Sequence, residues 1–254
     1  MKAEIQGFIK EHVESYKRRT NSRTDWGEPV VAFAEAQDPL FCKMKGVVGP
    51  SHLLPSDLLP DAKSVITYFI PFSRETVGSN AAAKGTSKKW AQSYIETNQL
   101  IVDLNNALSD MLKKKGFRSA TTPPAHNFDQ EKLVSNWSQK HVAYIAGLGK
   151  FGLHHMIITE KGCCGRIGSL VTNAKIEPTK KVHTEFCLFK LNGSCGVCVE
   201  KCRPKALKTD HLDKQTCYKE CLRNAKIYTE MGLADVCGKC IVMVPCSFMN
   251  PAKS

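Results

Sequence analysis

Nine of the chain's twelve cysteines fall after residue 183, and their spacing restricts that segment more than any other feature does. Cys187 is followed by Cys195-Gly-Val-Cys198-Val-Glu-Lys-Cys202-Arg-Pro204, then by Cys217, Cys221, Cys237-Gly-Lys-Cys240 and Pro245-Cys246. A [4Fe–4S] cluster is held by four thiolates, and in two-cluster ferredoxins the cysteine next to proline leaves its own loop to bind the other cluster. Crossing the two half-motifs in that way gives Cys187, Cys195, Cys198 and Cys246 for one cluster, and Cys202, Cys217, Cys237 and Cys240 for the other. Cys221 stands one helical turn from Cys217 and is the alternative to it. Asn192 occupies the place where a first cysteine is usual, so Cys187 reaches in from further away, and Arg203 separates Cys202 from its proline. Two zinc sites are the competing reading, but zinc ribbons pair C-x-x-C knuckles for each ion. Cys202 and Cys246 have no such partner. The pattern therefore implies iron–sulfur clusters and electron transfer.

The rest of the composition is compatible with that. A chain of 254 residues suits a medium domain with a smaller appendage. No apolar run is long enough to cross a membrane, and the start shows neither an apolar signal region nor a twin-arginine motif, so a cytoplasmic location is expected. Thiols are kept reduced there, which favours metal binding over disulfides. The formal net charge of +12 has a plain explanation in solvated lysine-rich helix faces. Beyond that it suits an acidic electron donor, such as a ferredoxin or flavodoxin. Nucleic acid is not favoured, because aromatics do not interleave with the basic residues.

Composition changes near residue 183, dividing the chain into residues 1–182 and 183–254. The first part reads as mixed α/β. Ile5, Phe8, Ile9, Val13 and Tyr16 predict a helix over residues 2–18, and Val30–Ala34 and Ser64–Ile70 predict strands. Between the strands, Asp38 to Pro60 reads as loop. Ile101, Leu104, Leu108, Met111 and Leu112 line a long helix ending at Gly116. A strand over Phe117–Thr121, a helix from about Gln130 to Ala146, and a strand pair at Met156–Thr159 and Ile167–Thr172 complete this part.

Gly147-Leu-Gly149-Lys-Phe-Gly152 has the form G-x-G-x-x-G, but a helix precedes it, against the strand that a dinucleotide fingerprint requires. It reads as a helix cap and turn, or as bare backbone set close to a bulky cofactor. His154 and His155 read as exposed residues at the start of a strand, with a proton-donating role for His154 as the sharper alternative. His141 reads as a packing residue beside Trp137 and Tyr144, Cys163-Cys164 as a loop lining a cavity, and Cys42 as a small buried apolar residue. Tyr68 and Asp129 are further candidate proton donors.

Ala146–Gly152, the strand Ile157–Thr159, Gly165-Arg166-Ile167-Gly168-Ser169, Leu170–Thr172 and the later cysteine spacing together resemble the epoxyqueuosine reductases, a family related to the reductive dehalogenases. The resemblance spans roughly residues 50 to 250. It implies a nitroreductase-like α/β domain binding cobalamin, followed by a ferredoxin-like module with two [4Fe–4S] clusters that reduce the cobalt. Gly147, Gly149, Gly152, Gly165, Arg166, Gly168 and Ser169 would then wall one corrinoid pocket, with Arg166 meeting an amide or phosphate of the cofactor's tail. FMN, or no cofactor, is the alternative on the same scaffold. The substrate would be a small molecule or a modified nucleoside. Alternatively the protein passes electrons to a partner enzyme and has no substrate of its own. Two departures count against epoxyqueuosine. The stretch Ser119-Ala-Thr-Thr-Pro-Pro124 lacks the aspartate that the tRNA-modifying members carry there, and the sequence reads as a short member without the family's helical C-terminal extension.

Overall fold

The computed structural model describes residues 1–253. Helix α1 (Lys2–Thr20) buries Ile5, Ile9, Val13 and Tyr16, one residue per turn along a single face, and ends on Asn21 in the left-handed conformation. Strand β1 (Val30–Glu35) follows. The stretch from Asp38 to Pro60, expected as loop, instead contains helices α2 (Pro39–Val47) and α3 (Pro55–Leu58). Asp38 starts α2 by accepting the Leu40 N–H at 3.0 Å, with Pro39 in the first turn, where its missing N–H costs nothing.

Strand β2 (Ser64–Pro71) is buried along all eight residues, as a central strand covered on both faces must be. Helix α4 (Arg74–Ala82), not expected from the sequence, is capped by Ser73. Helix α5 (Lys88–Lys114) is the longest element and is capped by Ser87, whose hydroxyl accepts the Trp90 N–H at 3.1 Å. Strand β3 (Ser119–Thr121) comes next. The helix expected from Gln130 to Ala146 shrinks to α6 (Gln139–Ile145), because residues before it form a hairpin of β4 (Phe128–Asp129) and β5 (Val134–Ser135). Its turn places Leu133 at φ 52.

Strands β6 (Gly149–Phe151) and β7 (Ile157–Thr159) pair with each other, whereas β8 (Gly165–Thr172) joins the main sheet. The expected pairing of β7 with β8 therefore does not occur. The main sheet is antiparallel in the order β1-β2-β8-β3. One face packs on α1 and α5 through Phe33, Ile66, Tyr68, Ile70 and Leu170. The other packs on α2 and α6 through Val65, Phe69, Trp137 and Val171. A third apolar core joins Phe72, Val77, Trp90 and Ile158 to the cysteine-rich segment, which contains short helices α7 (Leu188–Asn192) and α8 (Val197–Glu200) and the longer α9 (Lys214–Ala225). No helix among the described residues is long and apolar enough to cross a membrane.

Candidate redox site

Cys187 precedes α7, Cys195 and Cys198 bracket the start of α8, and Cys246 arrives from the far end of the segment. All four line one pocket with Leu153, His154 and Pro245. Burial pushes the Cys198 thiol up to about 12, and the thiols of Cys246, Cys187 and Cys195 act in the same direction. Asn192, in the place of the missing cysteine, accepts the Ser194 N–H at 3.1 Å and so shapes the turn instead. Cys246 is held by the Cys163 N–H, which donates to its carbonyl at 3.0 Å. A hydrogen bond from the Cys163 thiol lowers the Cys246 thiol to about 5, helped by His154 and opposed by burial.

The second set adjoins the first. Burial raises Cys240 well above the ordinary thiol range, and Cys237, Cys217, Cys202 and then Cys198 add to the effect. Cys202 Sγ accepts the Leu207 N–H at 3.2 Å. A hydrogen bond with Cys221 lowers Cys217 to about 7 and pushes Cys221 up. Cys217 is the thiol that acts on both Cys237 and Cys240. Among the described residues Trp90 Nε1 is a buried donor without an acceptor, and its ring lies against Gly238, inside the Cys237–Cys240 loop. A side chain at Gly238, where φ is +73, would overlap that ring. Converging thiols beside an orphaned N–H, with Lys140 near Cys217 and Lys239 near Cys237 to favour the thiolate forms, suit a sulfur-rich metal group that fixes the thiolates and accepts hydrogen bonds.

Two cavities meet at this second set. A groove of about 800 Å³ is lined by Ser138, Lys140, His141, Phe151 and Gly152. A deeper cavity of about 450 Å³ is lined by Trp90, Tyr94, His126, Arg166 and Asp235. Lys140, His155, Cys217, Tyr218 and Cys221 line both. Arg166 stacks on the Tyr94 ring at 4.4 Å, and its Nε and Nη2 donate to Asn98 Oδ1 at 3.1 and 2.7 Å. Tyr94 Oη donates to Asp235 at 2.8 Å, and His126 Nδ1 lies 3.8 Å from the same carboxylate. Burial, with Asp235 contributing, raises the Tyr94 hydroxyl to about 12.

The residues expected to share one pocket are dispersed. Gly147 and Gly149 line a small recess of about 180 Å³. Gly152 lines the groove, and Gly165 and Arg166 line the deeper cavity. Gly168 is needed for packing, since a Cβ there would lie 2.6 Å from the Tyr68 ring. Ser169 is occupied by Trp137 Nε1 at 3.0 Å and Gln139 at 2.7 Å. Tyr68 is fully buried, donating to Asn105 at 2.8 Å, so its proton cannot reach a ligand. Asp129 accepts the N–H groups of Glu131 and Lys132, which hold its carboxyl below the usual range at an exposed turn. His154 is buried, against the expectation of exposure, while Cys42 is exposed, against the expectation of burial. Cys163 and Cys164 are buried in the third core, the Cys164 thiol donating to the Ile241 carbonyl at 3.0 Å. His141 borders the groove, packed 4.9 Å from Phe151. Trp90, Tyr94, Lys140 and Asp235 escaped the sequence reading, because no motif marks them and only the fold turns them towards one cavity.

No protein-family model matches the sequence, and no curated protein matches it. Solved structures do. An epoxyqueuosine reductase from Bacillus subtilis aligns at TM-score 0.56 and 20% identity, over 94% of this chain and 65% of that one. The enzyme from Streptococcus thermophilus aligns at 0.54 and 15%, over 94% and 66%. A catabolic reductive dehalogenase in complex with 3-bromo-4-hydroxybenzoic acid aligns at 0.59 and 14%, over 88% and 30%. The chain thus spans just under two thirds of the length of these epoxyqueuosine reductases. Its fold is the mixed α/β fold that epoxyqueuosine reductases and reductive dehalogenases share.

Proposed function

We propose that this protein is an iron–sulfur oxidoreductase that passes electrons through two [4Fe–4S] clusters to a corrinoid, which reduces a small molecule or a modified nucleoside. The observation that carries the reading is the meeting of the second thiol set with the two joined cavities, where Cys217 and Cys221 stand in the walls of both. Residues 183–254 supply the ligands, Cys187, Cys195, Cys198 and Cys246 for one cluster and Cys202, Cys217, Cys237 and Cys240 for the other. Residues 1–182 supply most of the groove's lining, and the two segments share the walls of the deeper cavity. The likeness in fold to two kinds of reductase supports the same assignment.

When bound, a corrinoid supplies strongly reducing, nucleophilic cobalt chemistry. The chain's own residues provide the surroundings. Arg166 is held in a cavity wall by Asn98 and Tyr94 with no carboxylate bonded to its guanidinium, which leaves it able to receive an anionic or amide group. Tyr94 keeps its proton through the neutral range and points it at Asp235, making this pair the candidate proton source. An acidic ferredoxin or flavodoxin would donate the electrons, in keeping with the net charge of +12.

The test is anaerobic reconstitution followed by titration with hydroxocobalamin and, separately, FMN. About eight iron and eight sulfide per chain and a base-off corrinoid spectrum are expected. Zinc as the dominant metal, without bleaching by dithionite, would reject the clusters. Tight FMN binding without cobalamin binding would reject the corrinoid.

A further inference from the structure

His154 lies in the turn between β6 and β7 with 5% of its surface exposed, in the wall between the first thiol pocket and the deeper cavity. Its Nδ1 is 3.1 Å from the Met156 backbone nitrogen, whose N–H can only donate. Nδ1 is therefore the acceptor, and the proton of the neutral ring is on Nε2. Nε2 lies 3.3 Å from Cys246 Sγ. The ring is also held from behind, because a Cβ on Gly152 would come within 2.6 Å of its Cε1. The Cys246 backbone is fixed in turn by the Cys163 N–H at 3.0 Å. Both ends of the N–H···S contact are thus positioned by backbone rather than by flexible side chains.

We infer that His154 is a positioning residue that sets the reduction potential of the first cluster by donating its Nε2–H to the Cys246 thiolate. This rests on the reading of Cys246 as a ligand of that cluster. A hydrogen bond to a ligand sulfur draws charge away from the metal and favours the more negative, reduced state, so the potential rises. The assignment also removes His154 from the candidate proton donors, since its one mobile proton is committed to sulfur.

The experiment is an EPR-monitored redox titration of the reconstituted full chain. His154→Phe keeps a flat ring without the donor and should move the midpoint of one cluster to a more negative value, leaving the other midpoint and the iron and sulfide content unchanged. His154→Gln, which restores an N–H, should recover part of the shift. An unmoved midpoint in His154→Phe at full iron content overturns the proposal, and so does loss of the cluster, which would make His154 a ligand. Cys246→Ala separates the underlying reading, for retention of both clusters there would show that Cys246 is no ligand. In wild-type protein carrying ¹⁵N-histidine, pulsed EPR should show a weak coupling between one histidine nitrogen and one cluster. Absence of any coupling, or a strong one from direct ligation, overturns the proposal without recourse to a variant.

Discussion

His141 illustrates how burial sets charge around the groove. Its Nδ1 lies 2.8 Å from Ser138 Oγ, and burial, then the neighbouring Lys140, lowers its pKa to about 4. An unfolded histidine titrates near 6.5, so between about 4 and 6.5 the unfolded chain binds the extra proton and the folded chain does not. Stability therefore rises with pH through that window and is lost as pH falls through it. His52 and His155 are shifted in the same direction, again chiefly by burial. His141→Gln should flatten the decline in melting temperature from pH 6.5 downward, and an unchanged slope would contradict this. The two tyrosines separate chemistry from packing. Tyr94→Phe should slow substrate turnover by about 10²–10⁴-fold with iron content intact, as loss of a general acid does. Tyr68→Phe should leave turnover alone and lower stability by about 1–3 kcal/mol, because Asn105 loses the partner of its buried oxygen. The sequence did not distinguish these roles. Neither tyrosine carries a motif, and only the fold, which buries Tyr68 of β2 against Asn105 and turns Tyr94 of α5 towards Asp235, decides which one meets a cavity.

Elements with a strong hydrophobic period were legible. The expected helix over 2–18 is α1 at Lys2–Thr20, and the expected strand over 64–70 is β2 at Ser64–Pro71. Misreadings cluster where partners lie far away in sequence. The segment before α6 alternates too briefly to reveal β4 and β5, and α2 depends on packing against α6 for its place. Strand β8 pairs with β2 and β3, both distant, so adjacency to β7 was the wrong guide. The glycines of the Gly147–Gly152 stretch were rightly singled out as positions that need bare backbone, but for Gly149 the reason is a close strand partner. A Cβ there would overlap the Ile158 carbonyl. Gly149→Ala should therefore collapse the β6–β7 pair and lower the melting temperature sharply whether or not a cofactor is added. Gly7→Ala, on the exposed side of α1 with nothing within 4 Å, should stabilise the protein by about 0.5–1 kcal/mol. Urea unfolding of the two variants checks both signs.

Across the whole molecule, the third core decides how the parts respond to metal. It joins Phe72, Val77 and Trp90 to Cys198, Cys202, Ile241 and Val244, so the cysteine-rich segment shares its apolar support with α4 and the start of α5. Stripping metal anaerobically with a chelator should lower the melting temperature and speed hydrogen exchange through residues 187–246 and the first turns of α5. The β1-β2-β8-β3 sheet, which has cores of its own on both faces, should keep its protection. Equal loss of protection in the sheet would show that the molecule unfolds as one unit. The cysteine-rich segment was legible because thiol spacing is a local signal, whereas the joined cavities were not, being built from residues brought together by folding alone. The backbone bonds from Cys163 and Cys164 to the carbonyls of Cys246 and Ser247 impose a schedule on biogenesis. The residues that clamp Cys163 are translated long after it, and after every strand of the main sheet, so this seam closes later than the sheet's own pairings can. The pocket of Cys187, Cys195, Cys198 and Cys246 is then completed on a chain whose sheet has already had time to form.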